Sequence, residues 1–175
     1  MSADQFVRTF EGLFQGPEWV VERAYAQRPF EDTHALRRAF QDALFAATVE
    51  EQEQLINSYP TLGSQAVAMG NEGEESLTDQ SALGLNRLAE KEHEELASLT
   101  EAYREHFGFP LVVAVRDQTS FDQVLRSGWE RLNNSPTQEH ATALIEIAKI
   151  AAHRFDELVA NANPIHTART RHLES

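Results

Sequence analysis

A chain of 175 residues with 41% apolar and 9% aromatic side chains is long enough to bury one continuous core and too hydrophobic to stay unfolded. Its net charge of −13 argues against nucleic-acid binding, which needs a basic face to neutralise phosphates, and is suited to solubility. The absence of cysteine removes disulfides, thiolate nucleophiles and cysteine-held metals, and neither a signal-peptide pattern nor a bilayer-length apolar run occurs, so a cytoplasmic protein with no membrane partner is the expectation.

Taken in order, Phe6, Phe10, Leu13 and Phe14 recur at helical spacing until Gly16-Pro17 interrupts them. Pro17 is placed to open a second helix at its first turn, with Trp19, Val20 and Ala24 inward and Arg28-Pro29-Phe30 as the stop. Trp19 and Phe30 read as core. Thr33 reads as the cap of a third helix carrying Leu36, Phe40, Ala43 and Leu44. Thr48-Val49-Glu50-Glu51 is a capping box for a fourth, with Leu55 and Ile56 inward, and Pro60 ends it, which puts Tyr59 at a helix-to-loop corner.

Residues 61–75 are ambiguous, with Gly70 to Glu75 reading as a flexible acidic loop. A long helix from about Leu77 aligns Leu85, Leu88, Leu96, Leu99 and Tyr103 and stops at Gly108-Phe109-Pro110. Its charged run from Glu90 to Glu95 reads as a solvated face. Leu111 to Val115 is too short to assign by period and is either irregular or one buried strand.

Ser120 opens a helix with Phe121, Val124, Leu125, Trp129 and Leu132 assigned inward. Ser135-Pro136-Thr137-Gln138 is a capping box for the last helix, which ends near Asn163-Pro164. Along that helix Arg154 falls in line with Ile147, Ile150 and Leu158. A buried guanidinium requires a carboxylate or an anionic ligand. The whole reads as an all-α bundle, a single domain over 1–164 with a flexible tail over 165–175.

Two readings compete for Ser76-Leu77-Thr78-Asp79-Gln80. One is a capping box between Ser76 and Asp79. The other is a cluster of polar groups at a positive helix end able to hold a small anion. For metals, only Glu90-x-x-His93 has ligand spacing, whereas a di-iron bundle needs a second such pair and two further glutamates; no metal site is assigned. Nucleotide-binding glycine loops and the Gly-x-Ser-x-Gly elbow are absent from the sequence.

Gly16-Pro17-Glu18-Trp19-Val20, Arg28-Pro29-Phe30, Leu55 to Leu62, Ser76 to Gln80, Phe107-Gly108-Phe109-Pro110 and Ile150 to Phe155 follow one another in an order that resembles the OHCU decarboxylases, over roughly Phe6 to Val159. The resemblance implies an all-helical, homodimeric, cofactor-free carboxy-lyase that converts 2-oxo-4-hydroxy-4-carboxy-5-ureidoimidazoline to (S)-allantoin in urate degradation. The alternative it leaves open is a homologue that holds such a ureido or imidazoline anion without turnover.

The family's Ser-x-x-Glu-Gln group maps onto Ser76, Asp79 and Gln80, and its late-helix arginine onto Arg154. Tyr59 stands where the family has the histidine of His-Pro-Asp-Leu, and Asp79 where it has glutamate. The resemblance thus makes Tyr59 and Asp79 the catalytic pair and Ser76, Gln80, Phe109 and Arg154 substrate-binding. Tyrosine, with an ordinary pKa of about 10, is a donor at neutral pH rather than a base. Lowering of its pKa by Arg154 or another positive group is the condition under which it transfers a proton readily.

Overall fold

The computed structural model describes residues 2–62 and 90–162. Within them are seven α-helices and no strand: α1 Ala3–Phe10, α2 Trp19–Tyr25, α3 Thr33–Phe45, α4 Val49–Asn57, α5 Glu90–Phe107, α6 Phe121–Arg131 and α7 Pro136–Ala162. The expected acidic loop, the proposed start of the long helix and the tail over 165–175 lie outside the described residues.

Most helix starts obey the local chemistry of their sequence. Thr48 Oγ1 accepts from the backbone N–H of Glu51 at 3.2 Å while the Glu51 carboxylate accepts from the N–H of Thr48 at 3.1 Å. Ser135 and Gln138 make the same reciprocal pair, and Ser120 caps α6 through the N–H of Gln123. Each satisfies backbone donors that a helix end otherwise leaves without partners.

Two boundaries differ from expectation. The cap of α3 is Asp32, whose carboxylate accepts from Ala35 N–H at 2.8 Å, and Thr33 is the first helical residue. Aspartate caps as well as threonine and binds the positive helix end by charge too. Helix α2 begins at Trp19, not at Pro17, because Gly16 at φ +81° turns the chain through a corner that is completed only after the proline.

The core is a rosette of aromatic rings. Phe6, Phe10, Phe40 and Phe155 bring α1, α3 and α7 together with ring centroids 4.8–6.2 Å apart, the range in which tilted and offset rings attract. Trp19 and Phe30 are half-buried and pack against this core. Helix α7 is the axis on which α3 and α4 lie, while α5 and α6 pair with each other.

Leu111 to Val115 forms neither strand nor α-helix. All five side chains are buried, and the chain passes into a single 3₁₀ turn at Val115–Asp117. Side chains from α6 and α7 serve its backbone instead of a neighbouring strand: Arg131 donates to the Val112 carbonyl at 2.8 Å, and Ala114 N–H donates to Glu146 at 3.5 Å. Trp129, assigned inward, is 43% exposed. Gly128 and Arg131 take the inner positions of α6 instead, since Leu99 of α5 packs so close to Gly128 that no side chain fits there.

Among the described residues no helix is long and apolar enough to cross a membrane.

Candidate active site

Helix α4 ends in a tightened turn, with Ser58 N–H donating to Gln54 O and Tyr59 N–H to Ile56 O, before Pro60 prevents further helix. That geometry turns the Tyr59 side chain inward, where it is only 5% exposed. Its hydroxyl oxygen accepts from the backbone N–H of Gln15 at 3.4 Å. Burial pushes the phenol up to about 12; the positive charge of Arg154 and the Gln15 N–H pull it down, but by less. The sequence-based condition, a lowered pKa, is therefore not met. Tyr59 holds its proton throughout the neutral range, which suits it to donate a hydrogen bond rather than to act as a base.

Arg154, on the buried stripe of α7, is 4% exposed. Its Nη1 donates to the carbonyls of Gly12 and Leu13, each at 3.4 Å, and its Nε has no hydrogen-bond partner among the described residues. No carboxylate among those residues pairs with it, although Glu11 and Glu157 line the same cleft of about 330 Å³. Glu157 pairs instead with Arg116 at 2.5 Å. A buried guanidinium to which the described residues offer two long bonds, both to neutral carbonyls, keeps, so far as they go, most of its cost of desolvation, and that favours an anionic partner.

The chain segment from Gly12 to Gly16 joins these two groups. It presents carbonyls to Arg154 and an N–H to Tyr59, from two faces of one corner. Backbone groups of this kind carry no side-chain signature, and sequence reading missed them; Gly16 was the only visible sign, read there as a helix stop.

Phe109 lies elsewhere. Its ring packs 5.8 Å from that of Phe107 and 5.9 Å from that of Tyr103, on the wall of a cleft of about 380 Å³ shared with Val49, Asn57 and His140. Neither Tyr59 nor Arg154 lines that cleft. Ser76, Asp79 and Gln80 lie outside the described residues.

A second polar cluster escaped sequence reading. Glu139 is completely buried and accepts from Arg131 Nε at 2.7 Å, Tyr103 Oη at 2.5 Å and Asn134 Nδ2 at 2.7 Å. The available signal was its register, since Glu139 shares the inward stripe of Ala143, Ile147 and Arg154 on α7. Unlike Arg154, this carboxylate is fully partnered, so it reads as structure.

A family model described as OHCU decarboxylase matches residues 1–156. The chain is 35% identical over 154 residues to the 2-oxo-4-hydroxy-4-carboxy-5-ureidoimidazoline decarboxylase of Haloferax volcanii, spanning 88% of this chain and 89% of that protein. It is 34% identical over 174 residues to the uric acid degradation bifunctional protein of Bacillus sp. strain TB-90, and there it covers 99% of itself but 33% of the relative, about one third of that protein's length. A crystal structure of (S)-allantoin synthase superposes with a TM-score of 0.68 at 23% identity, over 90% of this chain and 51% of that one, a likeness of fold. The chain belongs to the OHCU decarboxylase family.

Proposed function

We propose that this member of the OHCU decarboxylase family removes the carboxylate of 2-oxo-4-hydroxy-4-carboxy-5-ureidoimidazoline and delivers (S)-allantoin, with no cofactor. The observation that carries the reading is Arg154, a buried cation with no carboxylate among the described residues and with the buried phenol of Tyr59 close enough to feel its charge. An anion bound there would neutralise the guanidinium and meet a proton donor at once.

The chemistry needs little else. When the bond from ring carbon to carboxylate breaks, carbon dioxide leaves and the electron pair passes into the adjacent carbon–nitrogen double bond of the ring. One proton is then taken up at the carbon that bears the ureido group and one at the ring nitrogen of the former double bond, while the ring hydroxyl becomes a carbonyl by losing its own, so that one proton is gained in all. The ring itself is the electron sink. The protein's part is to hold the carboxylate where its loss is favoured and to give the proton to one face, which sets the handedness of the allantoin.

In this scheme Arg154 and Gln80 orient the anion, and Ser76 holds the ureido and ring amides. Tyr59 and Asp79 manage the proton. Tyr59 supplies what the family's histidine supplies in its protonated form, but not the base. Phe109, whose ring packs on Tyr103 and Phe107 and which lines a different cleft from Arg154, takes no part in this scheme. A cytoplasmic homodimer is the setting that the family resemblance implies.

The test mixes purified protein with freshly generated substrate and follows the circular dichroism of the product. Turnover above the spontaneous rate with an excess of the S enantiomer is the expected result. A spontaneous rate and racemic allantoin would refute the assignment.

A further inference from the structure

Tyr59 reaches its place through a chain of contacts that begins at its neighbour. Ser58 Oγ lies 3.0 Å from the carbonyl of Gln15 and 2.6 Å from that of Leu55, with one hydroxyl proton to share between them. The Leu55 contact is ordinary back-bonding at a helix end. The Gln15 contact is not, because it joins positions 43 residues apart in the chain.

On the other side of the same residue, Gln15 N–H donates to Tyr59 Oη. Gln15 is therefore gripped by Ser58 through its carbonyl and holds Tyr59 through its amide. Gly16 completes the fit: a Cβ there would lie 2.6 Å from both Cβ and Oγ of Ser58, closer than van der Waals contact allows. The corner is pressed against Ser58 with no space between them.

The N–H bond to Tyr59 is long, at 3.4 Å, where amide donors usually lie at about 2.9–3.0 Å. It has little margin, and a shift of the corner by a few tenths of an ångström would break it. While it lasts, it occupies one lone pair of the phenol oxygen and leaves the O–H proton for a ligand.

We propose that Ser58 is a positioning residue that acts through the Gln15–Gly16 corner to aim the hydroxyl of Tyr59. The inference rests on the decarboxylase reading of the Tyr59–Arg154 pair. It goes beyond that reading in assigning a role to a hydroxyl that need not touch substrate, and to a glycine whose missing side chain makes the contact possible.

A double-mutant cycle tests it. Ser58→Ala should lower kcat about tenfold, the size of effect that a small misplacement of a reacting group produces. KM should stay within twofold, because Arg154 is held by Gly12 and Leu13 rather than by Gln15. In a Tyr59→Phe background, Ser58→Ala should change kcat by less than twofold, since the group it aims is gone. Gly16→Ala, which pushes on the same contact from the other side, should resemble Ser58→Ala in kcat.

Equal losses from Ser58→Ala in both backgrounds, with a falling melting temperature, would overturn the proposal and leave Ser58 as a helix-end residue. A wild-type protein without turnover would instead remove the decarboxylase reading, and this inference with it. Should Tyr59→Phe be too slow to measure, a crystal structure of Ser58→Ala decides. Separation of Gln15 N from Tyr59 Oη with the Arg154 contacts retained supports the role, and unchanged geometry refutes it.

Discussion

Arg131 Nε lies 2.7 Å from Glu139 Oε1 in the interior, and the remaining polar atoms around the pair are also matched: Arg131 Nη1 with Val112 O, Tyr103 Oη with the same carboxylate oxygen, and Asn134 with the other. Burial and the neighbouring carboxylate push the Tyr103 phenol well above its usual range, against the pull of Arg131. The cluster ties α5, α6, α7 and the 111–115 segment into one unit. Arg131→Ala would leave a buried carboxylate without its cation, and a loss of about 3–5 kcal/mol is expected. Urea unfolding measures it, with a loss under about 1 kcal/mol contradicting the role.

Arg154 should behave in the opposite way. It has no carboxylate partner among the described residues, so Arg154→Met removes a charge that folding pays to bury and replaces it with a side chain of similar length. The urea midpoint is expected to hold or rise while turnover falls to the spontaneous rate. Destabilisation as large as that of Arg131→Ala would show that Arg154 is structural.

Tyr59 makes a prediction about pH. A phenol near 12 does not titrate between pH 6 and 8, so this residue adds no inflection to the rate there. Tyr59→His should introduce one below about pH 6.5, since burial and the charge of Arg154 both disfavour an imidazolium there, and Tyr59→Phe should lower kcat by about 10²–10⁴. An unchanged rate in Tyr59→Phe would remove the residue from the mechanism.

The same shift bears on stability. The folded-state value lies above the ordinary 10.0, so the folded protein keeps its proton where the unfolded chain has lost it. The associated stability is fully present below pH 10 and is lost as pH rises towards about 12. Melting temperatures should fall across that window, and less steeply in Tyr59→Phe. Tyr103, whose phenol burial also pushes up, contributes to the part that remains.

Gly128 tests the packing of α6 on α5. A Cβ at this position would run into Leu99 Cδ2 and lie 3.2 Å from Leu111 Cδ2, and Leu99 is wholly buried, so it yields only by disturbing the core around it. Gly128→Ala should cost about 1–3 kcal/mol by overpacking. Leu99→Val in the same chain should recover part of that loss. Recovery would be read as a smaller drop in melting temperature than Gly128→Ala gives alone.

The boxes at Thr48–Glu51 and Ser135–Gln138 were legible because capping is a negotiation among four consecutive residues, and the sequence contains all of them. The assignment of Thr33 failed by one position because Asp32 competes for the same backbone donors and its carboxylate won. Trp129 failed for another reason. Periodicity identifies a helix face, but the close approach of Leu99 selected the neighbouring small residue as the inner one.

The sequence by itself determined the all-α class, the main helix starts and stops, and the family to which the order of its motifs points, since these follow from local propensity and from patterns along the chain. It also identified Arg154 as a charge out of place on an apolar stripe. Only the tertiary structure decided what surrounds that charge and what surrounds the phenol of Tyr59. The Gly12 and Leu13 carbonyls, the Gln15 amide and the Ser58 hydroxyl come from distant parts of the chain, and most are backbone groups that every residue possesses. Their meaning depends on which side chain they face. The elevated phenol of Tyr59 has the same origin: desolvation by surrounding side chains outweighs the nearby cation, a balance fixed by packing in three dimensions rather than by sequence order.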